Sequence, residues 1–461
     1  MMTMKKPRAL IVPCRWIEGN PVDVIDAQIK SALELINKAD IDYDVTDMVV
    51  YDKDANSIRQ KYNAANYDFS IIIIPTWLEP MLPIRAIKDF LNKPIVVWGF
   101  GTFNQYGKRV DMGSIPGSGV LKGTLREMGV EHEYLYYLPG NEKTDQIMLT
   151  RLRKIANVAR AISMLDKAKI ASIGYLFGGM TLGDIDTTKM NTVFGPELME
   201  KDLYSLIREM ESIDVSGQDY ADTRKFVEGH FKASIGDRID KAVRMYMVLK
   251  NYVDDYNLAA ITVKCHFELS VEYGQTACIP LSVLGNSVVA ACESDIPVLL
   301  TQLVMTYLSG GKSSAYVDLH EISEKGLLIG ACGYAPSSMC IGKKIACGCC
   351  NPGDQASDNS YNGYITNMSH LDKGKVTIGR ILKEKDGGFA LHYTTGDAVG
   401  DIGQMNQYGL PQFAFTEVVL DSGVDRFAQS LGSHHYAVVY EDLRDEFDLF
   451  CRYKNIKNLK Y

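Results

Sequence analysis

The sequence lacks the marks of several protein classes. It carries a net charge of −8 and has no run of five or more Lys or Arg, so it offers no electrostatic footprint for nucleic acid or an anionic membrane surface. No stretch reaches the roughly 18 consecutive apolar residues of a membrane span. Its ten cysteines are scattered over 461 residues, unlike the dense framework of a secreted disulfide scaffold. These absences predict a soluble cytoplasmic protein with reduced thiols and no nucleic-acid or membrane partner.

What the sequence does have is a pattern that changes twice along the chain. Early apolar runs such as RALIVP and PIVVWGF alternate with amphipathic helical segments, which predicts a parallel sheet with crossover helices. A second such unit begins near AKIASIGYLF, and short alternating strands such as KGKVTIGRILKE follow later. The predicted fold class is therefore α/β, with two Rossmann-like parallel-sheet domains (1–160 and 161–309) and a mostly antiparallel, β-barrel-like domain (310–461).

Acidic residues stand where predicted strands end. Glu293 and Asp295 follow the apolar run SVVAAC, and Asp318 follows AYV. His434 and His435 come just before another apolar strand. Because ligands of open α/β sheets bind at the carboxyl ends of the strands, these groups form a candidate site. Two carboxylates and an imidazole suit Mn²⁺ or Mg²⁺ better than zinc. For Asp295, capping of the helix that starts at IPVLLTQ is the favoured role.

Spacing alone leaves other interpretations open. Acids at strand ends are common in proteins of this size, so ordinary solvated carboxylates stand beside the metal hypothesis. The segment CIGKKIACGCC suggests metal or redox chemistry, but Cys347, Cys349 and Cys350 are too close together for a tetrahedral site built from two separated pairs. Buried small side chains are the favoured interpretation of this cluster.

The site segments carry a resemblance to a known family. The chain resembles the L-fucose isomerase family, which includes similar sugar isomerases such as arabinose isomerase, in five segments: IIIIPTWLEP, PIVVWGFG, SIGYLFGGMTLG, AACESDIPVLLTQLVMTYLSGGKSSAYVDLH and GSHHYAVVYEDLRDEFDLFCRYKNI. They run across nearly the whole chain. The resemblance implies an intramolecular oxidoreductase that converts an open-chain aldose into a ketose, with a pentose or 6-deoxyhexose-like substrate.

Carried over residue by residue, the resemblance implies that Glu293, Asp318 and His435 bind Mn²⁺ or another divalent cation. Glu293 and Asp318 would also be the catalytic acid/base pair. This assignment fits the chemistry, because moving hydrogen between C1 and C2 through an enediol requires acid/base groups beside the substrate. The cation would stabilise the negative charge that builds up on the sugar oxygens.

The resemblance also implies how the sugar pocket is closed. Arg15 and Trp77 would contact the substrate. His434, which stands where the family has Asn, would contact it as well. The family forms hexamers in which the first domain of one subunit covers the site of another. Trp77 and Trp98 are predicted to follow buried strands at sheet ends, where a large ring is costly to leave in water unless it lines a cleft or interface. A hexamer is therefore expected.

The sequence is also compatible with a second function class. The chain could be a carbohydrate-binding or regulatory protein derived from the same family, with the three ligand residues kept only for structure. His434, in place of the family's Asn, and the altered pocket segment WGFGTF favour that alternative. Which sugar is used, and whether that sugar is charged, stays open on either hypothesis.

Overall fold

The computed structural model describes residues 2–16, 21–105, 107–138, 141–176, 178–231, 239–331, 333–341, 346–348, 365–367, 369–400 and 414–461. These residues form two compact units. The N-terminal unit comprises Lys5–Met164 and Asp448–Tyr453, and the main unit comprises Met1–Met4, Leu165–Phe447 and Lys454–Tyr461.

The N-terminal unit is built on a five-stranded parallel sheet with the order β2-β1-β3-β4-β7. Its central strands are buried on both faces, and crossover helices between them account for that burial. A small antiparallel hairpin, β5-β6, follows the fourth strand. The strands are β1 (Arg8–Pro13), β2 (Asp42–Val45), β3 (Phe69–Ile74), β4 (Ile95–Phe100), β5 (Phe103–Gln105), β6 (Lys108–Val110) and β7 (Glu133–Tyr137).

The helices of this unit follow the amphipathic segments of the sequence. They bury apolar residues against the sheet at helical spacing, as Ile25, Ala32 and Ile36 do in the first helix. The helices are α1 (Val22–Lys38), α2 (Asp52–Lys61), α3 (Met81–Ala86), α4 (Ser114–Glu127) and α5 (Glu142–Leu165).

The sequence predicted that Trp98 follows a buried strand at a sheet end, and the structure places it elsewhere. The residue lies inside β4 rather than after it, and its side chain is fully buried in the unit's own core. Its ring packs edge-on against Tyr137, with 6.0 Å between ring centroids. The prediction that Trp98 lines a cleft or interface is therefore wrong, because the strand continues two residues beyond it.

The main unit begins with a four-stranded parallel sheet with the order β11-β10-β8-β9. Its strands are β8 (Lys169–Ile173), β9 (Glu197–Lys201), β10 (Ala260–Val263) and β11 (Val289–Cys292). Its helices are α6 (Thr187–Phe194), α7 (Leu203–Glu211), α8 (Gln218–Glu228), α9 (Asp240–Asp255), α10 (Cys278–Leu284) and α11 (Ile296–Leu308).

A closed antiparallel barrel completes the main unit. Six strands run in the order β16-β19-β12-β13-β18-β17, and β17 pairs with β16 to close the ring, while β20 adds in parallel beside β17. The elements of this region are β12 (Ser314–Ile322), β13 (Gly326–Ala331), β14 (Ala346–Gly348), β15 (Ile365–Asn367), β16 (Gly374–Lys383), β17 (Phe389–Ala398), β18 (Ala414–Leu420), α12 (Val424–Gln429), β19 (His435–Val439), α13 (Arg444–Lys454) and β20 (Lys457–Lys460). Parallel-sheet α/β structure followed by an antiparallel barrel confirms the predicted fold class.

Helix α11 connects the sheet to the barrel. Every one of its residues is buried, because it packs on β10 and β11 on one side and on β12, β16 and β19 on the other. The Gln302 amide donates to the Ala290 carbonyl of β11 at 2.9 Å and to the Ser314 carbonyl of β12 at 3.1 Å. These bonds fix the end of β11 against the barrel. Within the described residues, no helix has both the length and the apolar character to cross a bilayer.

A buried histidine makes the stability of the barrel depend on pH. His392 packs among Phe427, Tyr436 and Tyr461, with ring centroids 4.7 to 5.8 Å away, and its Nε2 lies 2.9 Å from the Ser430 hydroxyl. Burial disfavours the charged imidazolium, so it lowers the pKa of His392 to about 4. In the unfolded chain His392 is therefore protonated below about pH 6.5, whereas in the folded barrel it stays neutral until the pH falls to about 4.

We expect this histidine to destabilise the fold as the pH falls. The contribution of neutral His392 to the free energy of unfolding is fully present above the pKa that this residue has in the unfolded chain. It declines as the pH drops, by about 2 kcal/mol between pH 7 and pH 5. His392→Gln removes that titration. The thermal midpoint of the wild type should therefore fall further than that of the variant over this interval. Parallel pH profiles of the two proteins would contradict the assignment.

Candidate active site

The turn that carries Glu293 lies at the carboxyl end of β11. Glu293 donates its backbone N–H to the Val263 carbonyl at the end of β10, 3.0 Å away. Glu293 and Ser294 both have left-handed backbone, with φ of 66° and 54°. Consecutive non-glycine residues in this region are uncommon and costly, and such strain clusters at functional sites. The Ser294 N–H is held by the Thr262 hydroxyl at 3.1 Å, so the turn is fixed in place.

Asp318 and His435 are direct partners on neighbouring barrel strands. Strands β12 and β19 pair antiparallel with Asp318 opposite His435. The His435 Nε2 lies 3.1 Å from the Asp318 Oδ1 and 3.5 Å from the Glu293 Oε2. The structure thus brings together the three residues that the sequence nominated as ligands, although they lie up to 142 positions apart in the chain. Their roles remain predictions.

Asp295 caps a helix, as predicted, and its side chain also contacts His435 and Arg380. Its side chain accepts a hydrogen bond from the Val298 N–H at 3.1 Å, which confirms the capping role at the start of α11. Its Oδ2 also lies 3.0 Å from the His435 Nδ1. Because an ionised carboxylate can only accept, Nδ1 carries the proton, and the lone pair of a neutral ring is at Nε2, facing Glu293 and Asp318.

Arg380 is a site residue that sequence reasoning missed. It is fully buried in β16 and donates to the Asp295 Oδ2 at 2.9 Å, to the His435 carbonyl at 3.0 Å and to the Leu182 carbonyl at 2.8 Å. The guanidinium therefore links the Asp295 carboxylate to the start of β19 and to the short helical turn at Thr181–Gly183. One sequence signal could have revealed it: a lone arginine stands inside the otherwise apolar and small-residue strand KVTIGRILK.

The electrostatics of the site reflect its excess of carboxylates. Burial alone would lower the pKa of His435, but hydrogen bonds to Asp295 and Asp318 and the charges of Asp318 and Glu293 outweigh it and raise the pKa to about 9. Burial, reinforced by the charge of Asp318, raises the pKa of Glu293 to about 7. Burial opposes ionisation of Asp295 as well, but the Arg380 charge and the contact with His435 hold its pKa below the usual value.

These side chains fit a divalent cation. A metal-bound histidine usually donates one ring N–H to a carboxylate, while its other ring nitrogen faces the metal and the oxygen ligands. Asp318, His434 and His435 each offer a ligand atom within 4.8 Å of the others, and Glu293 approaches the same His435 nitrogen. The sequence predicted that His434 binds substrate, and its position makes it a candidate metal ligand. Carboxylate oxygen and imidazole donors suit Mn²⁺ and similar ions.

Three further residues near the acids were not nominated from the sequence. The Tyr316 hydroxyl lies 3.3 Å from the Asp318 Oδ1, and its ring packs edge-on against His435. The His266 Nε2 lies 3.7 Å from the Glu293 Oε1. Lys264 is 1% exposed and forms an ion pair with Glu268. Lys264 and His266 follow β10 at the same sheet edge as Glu293, a position that could have drawn attention to them.

Arg15 and Trp77 belong to the N-terminal unit. Arg15 follows β1 and donates its N–H to the Val49 carbonyl at 3.1 Å. Trp77 follows β3, is 41% exposed and packs edge-on against Trp16 at 4.8 Å between ring centroids. Both residues lie at the carboxyl edge of their parallel sheet, as expected for ligand contacts. Their contact with sugar remains a prediction.

Most of the cysteine cluster at 340–350 lies outside the described residues. Residues 342–345 and 349–350 are among those not described, so the metal and redox interpretations of that segment have no structural test. Cys340 is described: its side chain is buried, and its Sγ lies 3.5 Å from the Pro336 carbonyl oxygen.

The chain is similar over about four-fifths of its length to proteins named sulfoquinovose isomerase. It is 24% identical over 384 residues to the one from Alkalicoccus urumqiensis, covering 81% of this chain and 82% of the relative. It is 22% identical over 389 residues to the one from Priestia aryabhattai, with 81% of each chain covered. It is 23% identical over 373 residues to the one from Clostridium sp. (strain MSTE9), covering 78% and 79%. No family model matches the chain.

These relatives support the class of sugar isomerases for the chain, an enzyme that interconverts an aldose and a ketose. They confirm the predicted enzyme class. They do not single out L-fucose isomerase, the family whose resemblance the sequence segments carried, so the narrower assignment is replaced by this broader one.

Proposed function

We propose that the chain is a metal-dependent aldose–ketose isomerase whose reaction passes through an enediol. The observation that carries this proposal is the orientation of His435. Its Nδ1 is committed to the buried Asp295, and its Nε2 faces both Glu293 and Asp318. That arrangement suits an ion-binding centre with acid/base groups at its edge.

Glu293 and Asp318 are proposed to move the substrate protons. A group that takes a proton from one carbon and returns it to the next works best when its pKa is near the working pH. Burial and the charge of Asp318 raise the pKa of Glu293 to about 7 in the site without a cation, and a coordinated cation would lower it from that value. Asp318 is half-buried in the middle of β12 and Glu293 follows β11, so the two carboxylates approach His435 from separate elements. Tyr316 orients Asp318 through its hydroxyl.

Glu293, Asp318 and His435 would hold the cation. His434, which directly precedes β19, would be a further donor. When bound, a divalent cation such as Mn²⁺ supplies Lewis-acid stabilisation for substrate oxygens that gain negative charge. Asp295 and Arg380 keep the imidazole orientation fixed without reaching the substrate themselves.

For the substrate, the names of the relatives suggest sulfoquinovose, and the resemblance from sequence suggests pentoses and 6-deoxyhexoses. We propose an open-chain monosaccharide and test the choice with a panel of these three kinds of sugar, using the purified protein with Mn²⁺. Turnover of one sugar and not the others names the substrate. Binding of a sugar with no turnover of any would favour the alternative, a carbohydrate-binding protein without catalysis.

Removal of the metal should abolish turnover. After treatment with a chelator, we expect no measurable isomerisation, with recovery on addition of Mn²⁺, because the carboxylates and His435 would lose the charge that organises them. The thermal midpoint should rise again as Mn²⁺ is restored, since a ligand that binds only the folded state stabilises it. Zinc and magnesium serve as comparison ions. Full activity in metal-free protein would contradict metal dependence.

We also predict a homo-oligomer, with a hexamer expected from the family resemblance. Trp77 exposes 41% of its surface, as a ring that closes a neighbour's pocket would before assembly. Light scattering at micromolar concentration measures the state. Trp77→Ala should raise the KM for sugar while leaving bound Mn²⁺ unchanged, and the neighbouring Met81→Ala serves as a control at another exposed apolar residue. A monomer would exclude a pocket closed by a second subunit.

The cysteines support a cytoplasmic location, which we include in the proposal. Among the cysteines whose side chains are described, Cys14, Cys265 and Cys451 are free and buried. Burial raises the pKa of the Cys451 thiol to about 12, and it holds the pKa of Cys14 and Cys265 well above their usual range. Inert, reduced thiols of this kind are typical of a reducing compartment.

A further inference from the structure

A cavity lies in the N-terminal unit, lined by none of the candidate active-site residues. It has a volume of about 480 Å³, within the range of small-molecule sites. It opens between the C-terminal end of α4 and the start of β7, and Gly129 in the connecting turn would meet nothing within 4 Å if it carried a side chain. The lining residues are Lys122, Arg126, Gly129, Val130, Glu131, His132, Glu133, Tyr134, Arg151 and Arg452.

The charge of this cavity is opposite to that of the chain. Four permanently cationic side chains and two carboxylates line it, whereas the whole chain carries a net charge of −8. Among the described residues, no ion pair joins Lys122 or Arg126 to a carboxylate. These two cations stand one helical turn apart on α4 and remain available to an anion.

The other two cations are held in fixed positions. Glu133 is 3% exposed, and its two oxygens bind Arg151, at 3.0 Å, and Arg452. Arg452 lies in Asp448–Tyr453, the part of α13 that belongs to the N-terminal unit, and is also 3.7 Å from a Glu131 oxygen. A buried carboxylate that locks two guanidinium groups leaves their remaining N–H donors preorganised, which reduces the entropy cost of binding an oxyanion.

The cavity is at the opposite sheet edge from the residues proposed to contact sugar. Arg15 and Trp77 follow the carboxyl ends of β1 and β3, whereas Glu133 is the first residue of β7 in the same parallel sheet. A strand of five residues spans about 17 Å, so the two edges are separated by that distance. The cavity therefore does not belong to the sugar-contacting edge of this unit.

We propose that this cavity binds the phosphate group of a small phosphorylated metabolite. Arg126 and Lys122 would contact the phosphate oxygens directly, and the guanidinium groups of Arg151 and Arg452 would complete the cationic wall. Arginine forks match phosphate oxygens in pairs, and the volume leaves room for an organic moiety the size of a sugar beside the phosphate. The inference is independent of the isomerase activity.

Isothermal titration of the full-length protein tests the site. The probes are inorganic phosphate, a hexose 6-phosphate and the corresponding neutral hexose. We expect saturable binding of the hexose phosphate with a Kd on the order of 1 mM or tighter. Weaker binding of inorganic phosphate would show that the organic moiety contributes, and equal binding would show that free phosphate is the ligand.

Variants assign the binding to this cavity. Arg126→Gln and Lys122→Gln should each weaken phosphate binding by roughly tenfold or more, because each removes a charged donor. Lys61→Gln is the matched control: it lies at the end of α2 in the same unit, and its ammonium stacks on Tyr62 as that of Lys122 stacks on Tyr134. Thermal melts establish that each variant is folded. The proposal is overturned if no phosphorylated probe binds the wild type, or if both cavity variants, Arg126→Gln and Lys122→Gln, bind the hexose phosphate as tightly as the wild type and the Lys61→Gln control do.

Discussion

Glu293→Gln should reduce turnover by a factor on the order of 10² or more while the protein stays folded. Glutamine keeps the size of the side chain and one oxygen that can face the cation, but it cannot accept a proton from carbon. The left-handed backbone at this position is unchanged, since the two residues have the same branching near the backbone. The buried carboxyl group also sits beside Asp318 and His435, so its loss removes repulsion as well as function.

The measurement must separate chemistry from metal loss. Bound Mn²⁺ is quantified in the same samples used for kinetics, and turnover is compared at saturating metal. Glu321→Gln is the control, because it makes the same change at an exposed position on β12, three residues beyond Asp318. We expect the control to keep full activity. Wild-type turnover in Glu293→Gln would remove Glu293 from the mechanism and leave it a structural ligand at most.

The sequence was sufficient for those parts of the site that local pattern determines. Glu293 ends a strand of apolar residues and Asp295 precedes a helix, so their place at a sheet edge and the capping role followed from the order of residue types. Asp318 and His435 could be nominated because each stands beside an apolar run, but the predicted strand ends were wrong: Asp318 lies in the middle of β12, and His435 is the first residue of β19 rather than preceding it. The fold class followed in the same way, from strand and helix periods that change twice along the chain.

The remaining features depend on pairing between distant strands, which no local pattern determines. That Asp318 faces His435 is a consequence of the register of β12 and β19. Arg380 enters the site only because β16 pairs with β19 and closes the barrel against α11. Trp98 was misplaced because a boundary error of a few residues decides whether a ring is inside a strand or after it. Sequence patterns fix such boundaries poorly.

Asp295→Asn should destabilise the main unit by about 3 to 5 kcal/mol, because it leaves the Arg380 guanidinium buried beside a neutral amide. It should also weaken Mn²⁺ binding by about 10- to 100-fold, since His435 loses the carboxylate that fixes its ring. The helix cap itself should survive, because asparagine caps as well as aspartate does.

Thermal melting and metal titration of this variant are compared with Asp186→Asn. Asp186 is an exposed cap of α6 that accepts from the Lys189 N–H at 3.0 Å, so the control makes the same substitution where no buried cation depends on it. We expect the control to differ from wild type by only a few tenths of a kcal/mol. The two effects of Asp295→Asn have separate causes and can fail separately. Reduced stability with unchanged metal affinity would show that Asp295 serves Arg380 and not His435. Behaviour like that of the control in both measurements would reduce Asp295 to a helix cap.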